Sequence, residues 1–162
     1  MTAAERTALI DQYAAGPARL RAAFAAVPKE AVQWRPAPGE WSAHEVVVHC
    51  ADSESQSYCR VRTLLMDADP VIVGYDEARW AREFDYHSLP VEPALVAVDG
   101  VRGATVPLLR RLPEAAWQRA GRHTESGRYG MLDWLRIYAD HLEGHSRQIE
   151  NNVAAWRRAA GR

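Results

Sequence analysis

Cysteine is nearly absent from this chain: Cys50 and Cys59 are its only two. They lie nine positions apart in one expected helix, which puts them about 13 Å apart on nearly opposite faces. Neither a disulfide scaffold nor a paired-CxxC zinc site can be built from them. Cys50 keeps two readings, a small buried apolar residue or, beside His49, a thiol nucleophile. Long apolar runs are also missing. No stretch approaches the ~18 to 20 residues of a membrane helix, and Glu5 and Arg6 interrupt the start, Met1 to Ile10, where a secretory signal would be apolar. The expectation is a soluble, cytoplasmic protein. Charge of one sign is lacking too: 20 basic against 21 acidic residues leave a formal net charge of -1, no field for nucleic acid or an anionic membrane. Lysine is reduced to Lys29, so the basic residues are almost all arginine, a compositional bias. There is no phosphate loop, dinucleotide glycine fingerprint or nucleophile elbow.

What remains is helical. The 162 residues read as one domain, 1–162, long enough to bury about 70% of the unfolded surface. Leu9, Tyr13, Leu20, Phe24 and Val27 recur at three-and-four spacing, predicting a helix from about Thr2 to Val27 that Gly16-Pro17 should bend or interrupt. Pro28 to Trp41 reads as a loop. Ser42 and Glu45 form a capping box that opens a second helix to about Met66. Asp67 to Pro90 is a long connection with a short helix near Trp80 to Tyr86, readable as a lid or wall of a site or as a packed connector with no direct role. A third helix spans about Glu92 to Leu112, kinked by Gly100, Gly103 and Pro107. Pro113 to Gly130 reads as a turn and a loop, and Met131 to Ala160 is the most regular helix of all. Four amphipathic helices without alternating strands give an all-α bundle.

Histidine carries the chemistry. His141 and His145, four apart, project from one face of the last helix and fall in its inward half. His49 lies at the edge of the core stripe of the second helix. Three imidazoles hold a divalent ion facially and leave positions open, where the ion lowers the pKa of water or stabilises a thiolate. Paired histidines at this spacing are also ordinary boundary residues, and the residues alone leave both readings open. Glu45 and Asp52, one turn either side of His49, are candidates for proton transfer or for orienting a ligand, against a plain reading as solvated carboxylates. Gln148, one turn from His145, could orient a ligand or make an interhelical hydrogen bond. Trp134 and Tyr138 could wall a pocket or fill the core. His44, His87 and His123 fall outside the set.

Two stretches together carry a resemblance. Pro38-Gly39-Glu40-Trp41-Ser42-Ala43-His44-Glu45-Val46-Val47-Val48-His49, followed late in the chain by Tyr138-Ala139-Asp140-His141-Leu142-Glu143-Gly144-His145-Ser146-Arg147-Gln148-Ile149, resembles the DinB-like family of metalloenzymes, and Gly121-Arg122-His123 adds to it. The resemblance implies an up-down-down-up four-helix bundle with a metal at His49, His141 and His145. It implies nickel or zinc first, with iron, cobalt or manganese as other occupants, and often a homodimer. Its members include enzymes that use low-molecular-weight thiols, such as bacillithiol or mycothiol S-transferases, and metal-dependent hydrolases. Three functions follow as expectations: first, thiol activation for attack on a small electrophile; second, hydrolysis by activated water; third, from another class, a non-catalytic helical binding or dimerisation module.

Overall fold

The structure, a computed structural model, describes residues 1–161. In chain order its helices are α1 (Ala3–Ala25), α2 (Ala43–Met66), a short α3 (Glu77–Glu83), α4 (Val91–Arg110) and α5 (Met131–Ala159). Thr2 caps α1 and Ser42 caps α2, each in a reciprocal box with the glutamate three residues on. The short helix begins earlier than predicted, because Asp76 accepts the Arg79 amide at 2.8 Å, and it ends at Asp85, whose φ is 46°. No helix among the described residues is long and apolar enough to cross a membrane.

Side-chain bonds between helices fix their directions. Arg6 near the start of α1 reaches Glu114 beyond the end of α4, and Arg21 near the end of α1 pairs with Asp99 and Glu92 towards the start of α4. These two helices are antiparallel. His44 at the start of α2 bonds the Leu89 carbonyl just before α4, and Arg119 beyond α4 donates to the Leu64 carbonyl near the end of α2. Those two run parallel, which is why the connection 67–90 must travel the length of the bundle. Trp134 early in α5 donates to the Ser57 carbonyl, and Asn152 late in α5 donates to the Trp41 carbonyl, so α5 opposes α2. The result is an up-down-down-up four-helix bundle with α1 and α2 on a diagonal.

The all-α bundle is as expected, and a small sheet accompanies it where the sequence reads as connection and loop. A three-stranded sheet joins β1 (Val71–Ile72), β2 (Ala120–His123) and β3 (Gly127–Gly130), with β1 parallel to β2 and β2 antiparallel to β3. The strands are too short to show alternation, and glycine obscures them. At Gly121 that glycine is required: a Cβ would lie 2.1 Å from the Pro70 carbonyl oxygen of the adjoining segment.

At the glycine-proline positions neither helix is interrupted, since α1 and α4 continue through Pro17 and Pro107. In α1 the reason is visible. Proline at position 17 has no amide for the Tyr13 carbonyl, and Arg102 of α4 donates its Nη1 to that carbonyl instead. Gly16 leaves the space; a Cβ there would stand 2.5 Å from Arg102 Nη1. The core thus has two apolar halves. One holds Ile10, Val61, Leu64, Trp134 and Leu135, and the other Leu20, Val46, Val47, Leu95 and Ile149. A buried polar layer containing Gly16, Glu54 and Arg102 separates them.

Candidate metal centre

α2 and α5 bring His49, His141 and His145 together with one ligand nitrogen from each within 4.8 Å of the others. Their ring centroids lie 4.7 to 5.6 Å apart. His49 is buried, with Trp41 stacked against it at 4.6 Å between centroids, and the other two rings are partly open. Tyr138 flanks His141 at 5.7 Å.

Hydrogen bonds fix two of the three tautomers. His141 Nδ1 donates to Glu54 Oε1 at 3.2 Å, and His145 Nδ1 donates to Gln148 Oε1 at 2.8 Å. Each ring then keeps Nε2 as a free lone pair, and a carboxylate behind a ligating imidazole raises its basicity. Gln148 therefore bonds within its own helix, not between helices. His49 Nδ1 is buried without any partner, a costly state for a polar nitrogen. Burial first, and then the neighbouring His145 and His141, lower the His49 pKa to about 2. Burial and His141 likewise lower His145 to about 4. Both rings are neutral at pH 7 and available as ligands.

The donor set passes the test for a divalent ion. Three imidazoles converge, two are oriented from behind, and the third has an orphaned nitrogen for which the protein supplies no partner. Nitrogens about 2.0 to 2.1 Å from one ion are at most ~4.2 Å apart, so loading draws the rings slightly inward.

Glu54 is the residue that the sequence pattern did not single out. It is fully buried and takes Arg102 Nε and Nη2 at 3.0 and 2.6 Å on one side and His141 on the other. Burial alone would raise its carboxyl, but the His141 hydrogen bond and the Arg102 charge prevail and hold it below the usual range. Arg102 is in turn anchored by the Tyr13 and Tyr138 carbonyls. The available signal is an interruption: Glu54 stands between Cys50 and Ser57 on the buried stripe of α2, and Arg102 between Val98 and Thr105 on that of α4.

The two carboxylates proposed from sequence are engaged elsewhere. Glu45 closes the α2 cap and pairs with Arg35 and His87, while Asp52 accepts the Tyr86 hydroxyl at 2.5 Å. His44 and His87 bond to Leu89 and Ser42, away from the triad. Cys50 is fully buried, and burial pushes its thiol well above the ordinary value, which removes the nucleophile reading. Trp134 belongs to the core. Glu77, in the first turn of α3, is close enough for the His141 charge to act on it, and burial nonetheless raises its carboxyl. It lines a groove with Arg60, Tyr75 and Tyr129.

Comparison with known proteins agrees with this geometry. A family described as the DinB superfamily matches residues 12–149. A protein of Oceanobacillus iheyensis, provisionally named a metal-dependent hydrolase, is 34% identical over 111 residues, covering 68% of this chain and 64% of its own length. A Geobacillus thermodenitrificans protein with the same provisional name is 34% identical over 64% of this chain and 58% of its own. The chain thus matches less than two thirds of the length of either relative. The solved structure of YfiT from Bacillus subtilis, described as a probable metal-dependent hydrolase with an unusual four-helix bundle topology, superposes with a TM-score of 0.87 over 99% of this chain and 90% of its own, at 23% identity.

Proposed function

The chain belongs to the DinB superfamily, and we propose that it is a metal-dependent hydrolase of small molecules that holds one divalent ion through His49, His141 and His145. The observation that carries this is the convergence of three imidazoles, with Glu54 and Gln148 orienting two of them and His49 Nδ1 left orphaned. Imidazole ligands suit zinc, nickel, iron(II) or cobalt, zinc and nickel being the first candidates. Such an ion supplies Lewis acidity towards water and a carbonyl substrate. The chain's own contribution is orientation and proton handling. Glu54 and Arg102 hold His141, Trp41 covers His49, and Glu77 is the carboxylate placed to accept a proton from water at the groove.

Thiol transfer, the first expectation from the resemblance, finds no support in the relatives, whose provisional names state hydrolysis. The test has two stages. Protein purified without nickel affinity resin should take up about one equivalent of zinc or nickel, and His141→Ala should lose it. No uptake by either ion ends the proposal. The loaded protein should then turn over members of an ester and amide panel without added thiol. Turnover that appears only with bacillithiol, mycothiol or glutathione would return the transferase reading in its place.

A further inference from the structure

Buried side-chain polar atoms without a hydrogen-bond partner are few among the described residues, and they fall into three groups. His49 Nδ1 belongs to the metal centre. Tyr13, Ser57 and Thr105 contribute hydroxyls to one core cluster beside Glu54 and Arg102. The third group is Arg60 Nε, Tyr75 Oη and Tyr129 Oη, and all three of these residues line one groove of about 270 Å³.

That groove is built around a positioned cation. Arg60 donates Nη1 to the Tyr138 hydroxyl at 3.2 Å and Nη2 to the Val73 carbonyl at 3.0 Å, leaving Nε–H with nothing to bond. Its guanidinium lies 5.8 Å from the Tyr75 ring centroid. Tyr138 then connects the groove to His141, and Glu77 lines the groove while sensing the same histidine. A fixed guanidinium N–H and the Tyr129 O–H, both lacking acceptors, together with the Tyr75 O–H, which has only Ser53 beside it, match an oxygen-bearing anion. Glu77 and Glu125 also line the groove; their charges weaken the binding of any anion, which Arg60 has to outweigh, and so limit the ligand to one negative group. The volume is below the ~300 to 1,000 Å³ usual for drug-sized ligands.

We infer that this groove is the substrate-anchoring subsite and takes the carboxylate of a small monocarboxylate through Arg60, Tyr75 and Tyr129, leaving the rest of the molecule towards the three-histidine centre. The inference rests on the hydrolase reading for the word substrate; the anion subsite itself is the chain's own and needs no metal.

The experiment is a titration of the full chain, zinc-loaded and metal-free, with benzoate, phenylacetate and N-acetylglycine against their primary amides, followed by calorimetry or by amide chemical shifts. At least one acid should bind about tenfold more tightly than its amide in both forms, the size expected from a hydrogen-bonded charge. The Tyr75→Phe/Tyr129→Phe double variant should erase that preference, yet keep its zinc affinity and nearly all of its thermal midpoint, since the Tyr129 hydroxyl bonds to nothing in the folded chain and the Tyr75 hydroxyl has only Ser53 beside it. No acid binding, equal binding of acid and amide, or a preference that survives the double variant overturns the subsite. A preference seen only with zinc bound also overturns it, because the ion would then be the anion's partner. Failure of zinc uptake with acid selectivity intact would sink the hydrolase reading alone.

Discussion

An imidazole enclosed by protein has to give up either its proton or its burial, and here it gives up the proton. His49 is pushed to about 2 by desolvation and then by His145 and His141, and His145 to about 4 by desolvation and then by His141. In the unfolded chain both titrate near 6.5. Between those values the unfolded state carries protons that the folded state refuses, so stability is complete above pH 6.5 and falls as the pH drops. Each histidine contributes a slope of up to about 1.4 kcal/mol per pH unit. Urea unfolding of the metal-free protein should therefore show a decline from pH 6.5 to 4.5, joined at the acid end by the loss that Glu54, held below its ordinary range, adds. The slope should shrink in His49→Ala/His145→Ala. A flat profile through this range would mean that the rings are hydrated. The triad itself is legible in the sequence because i, i+4 spacing states which face two side chains share. Glu54 is not, because a carboxylate on a core stripe acquires meaning only when Arg102 from another helix is set against it.

Helix α1 shows how an element's fate is decided outside the element. Gly16-Pro17 has every local reason to break it, and the lost hydrogen bond at the Tyr13 carbonyl is real. The guanidinium of Arg102 replaces the missing donor, and glycine at position 16 gives it room. Gly16→Ala tests this directly. Helix propensity favours alanine by about 1 kcal/mol, but the new Cβ would meet Arg102 Nη1 at 2.5 Å and Leu142 at 3.1 Å. Overpacking of this kind costs about 1 to 3 kcal/mol, so the variant should be less stable by a net of up to ~2 kcal/mol in chemical denaturation. A stabilised variant would show that Arg102 is free to move aside. The four long helices are legible because their stripes extend over many turns. The hairpin is not: in β2 and β3, glycine occupies positions that alternation would fill, and the pairing with β1 depends on a segment distant in sequence. Its presence beside the groove brings Tyr129 to Arg60, a juxtaposition no local pattern announces.

At the scale of the whole molecule, the fully buried Arg102–Glu54 pair ties α4 to α2, Arg102 also bonds the backbones of α1 and α5, and Glu54 bonds His141. Among the described residues it is a layer in which all four long helices exchange polar contacts, and it lies between two apolar halves. A buried ion pair adds little net stability over apolar residues of similar size, but removing one partner strands the other at a cost of about 3 to 5 kcal/mol. Arg102→Met and Glu54→Leu should each lose that amount, while the double variant should recover most of it and remain folded. Zinc binding separates the structural part from the functional one. His141 has no anchor for Nδ1 whenever Glu54 is gone, so Glu54→Leu and the double variant should both bind zinc some 10- to 100-fold more weakly, even though only one of them is badly destabilised. Additive stability losses would show that the two residues do not act as a pair. Unchanged zinc affinity in the folded double variant would show that the layer holds the bundle together without setting the metal centre.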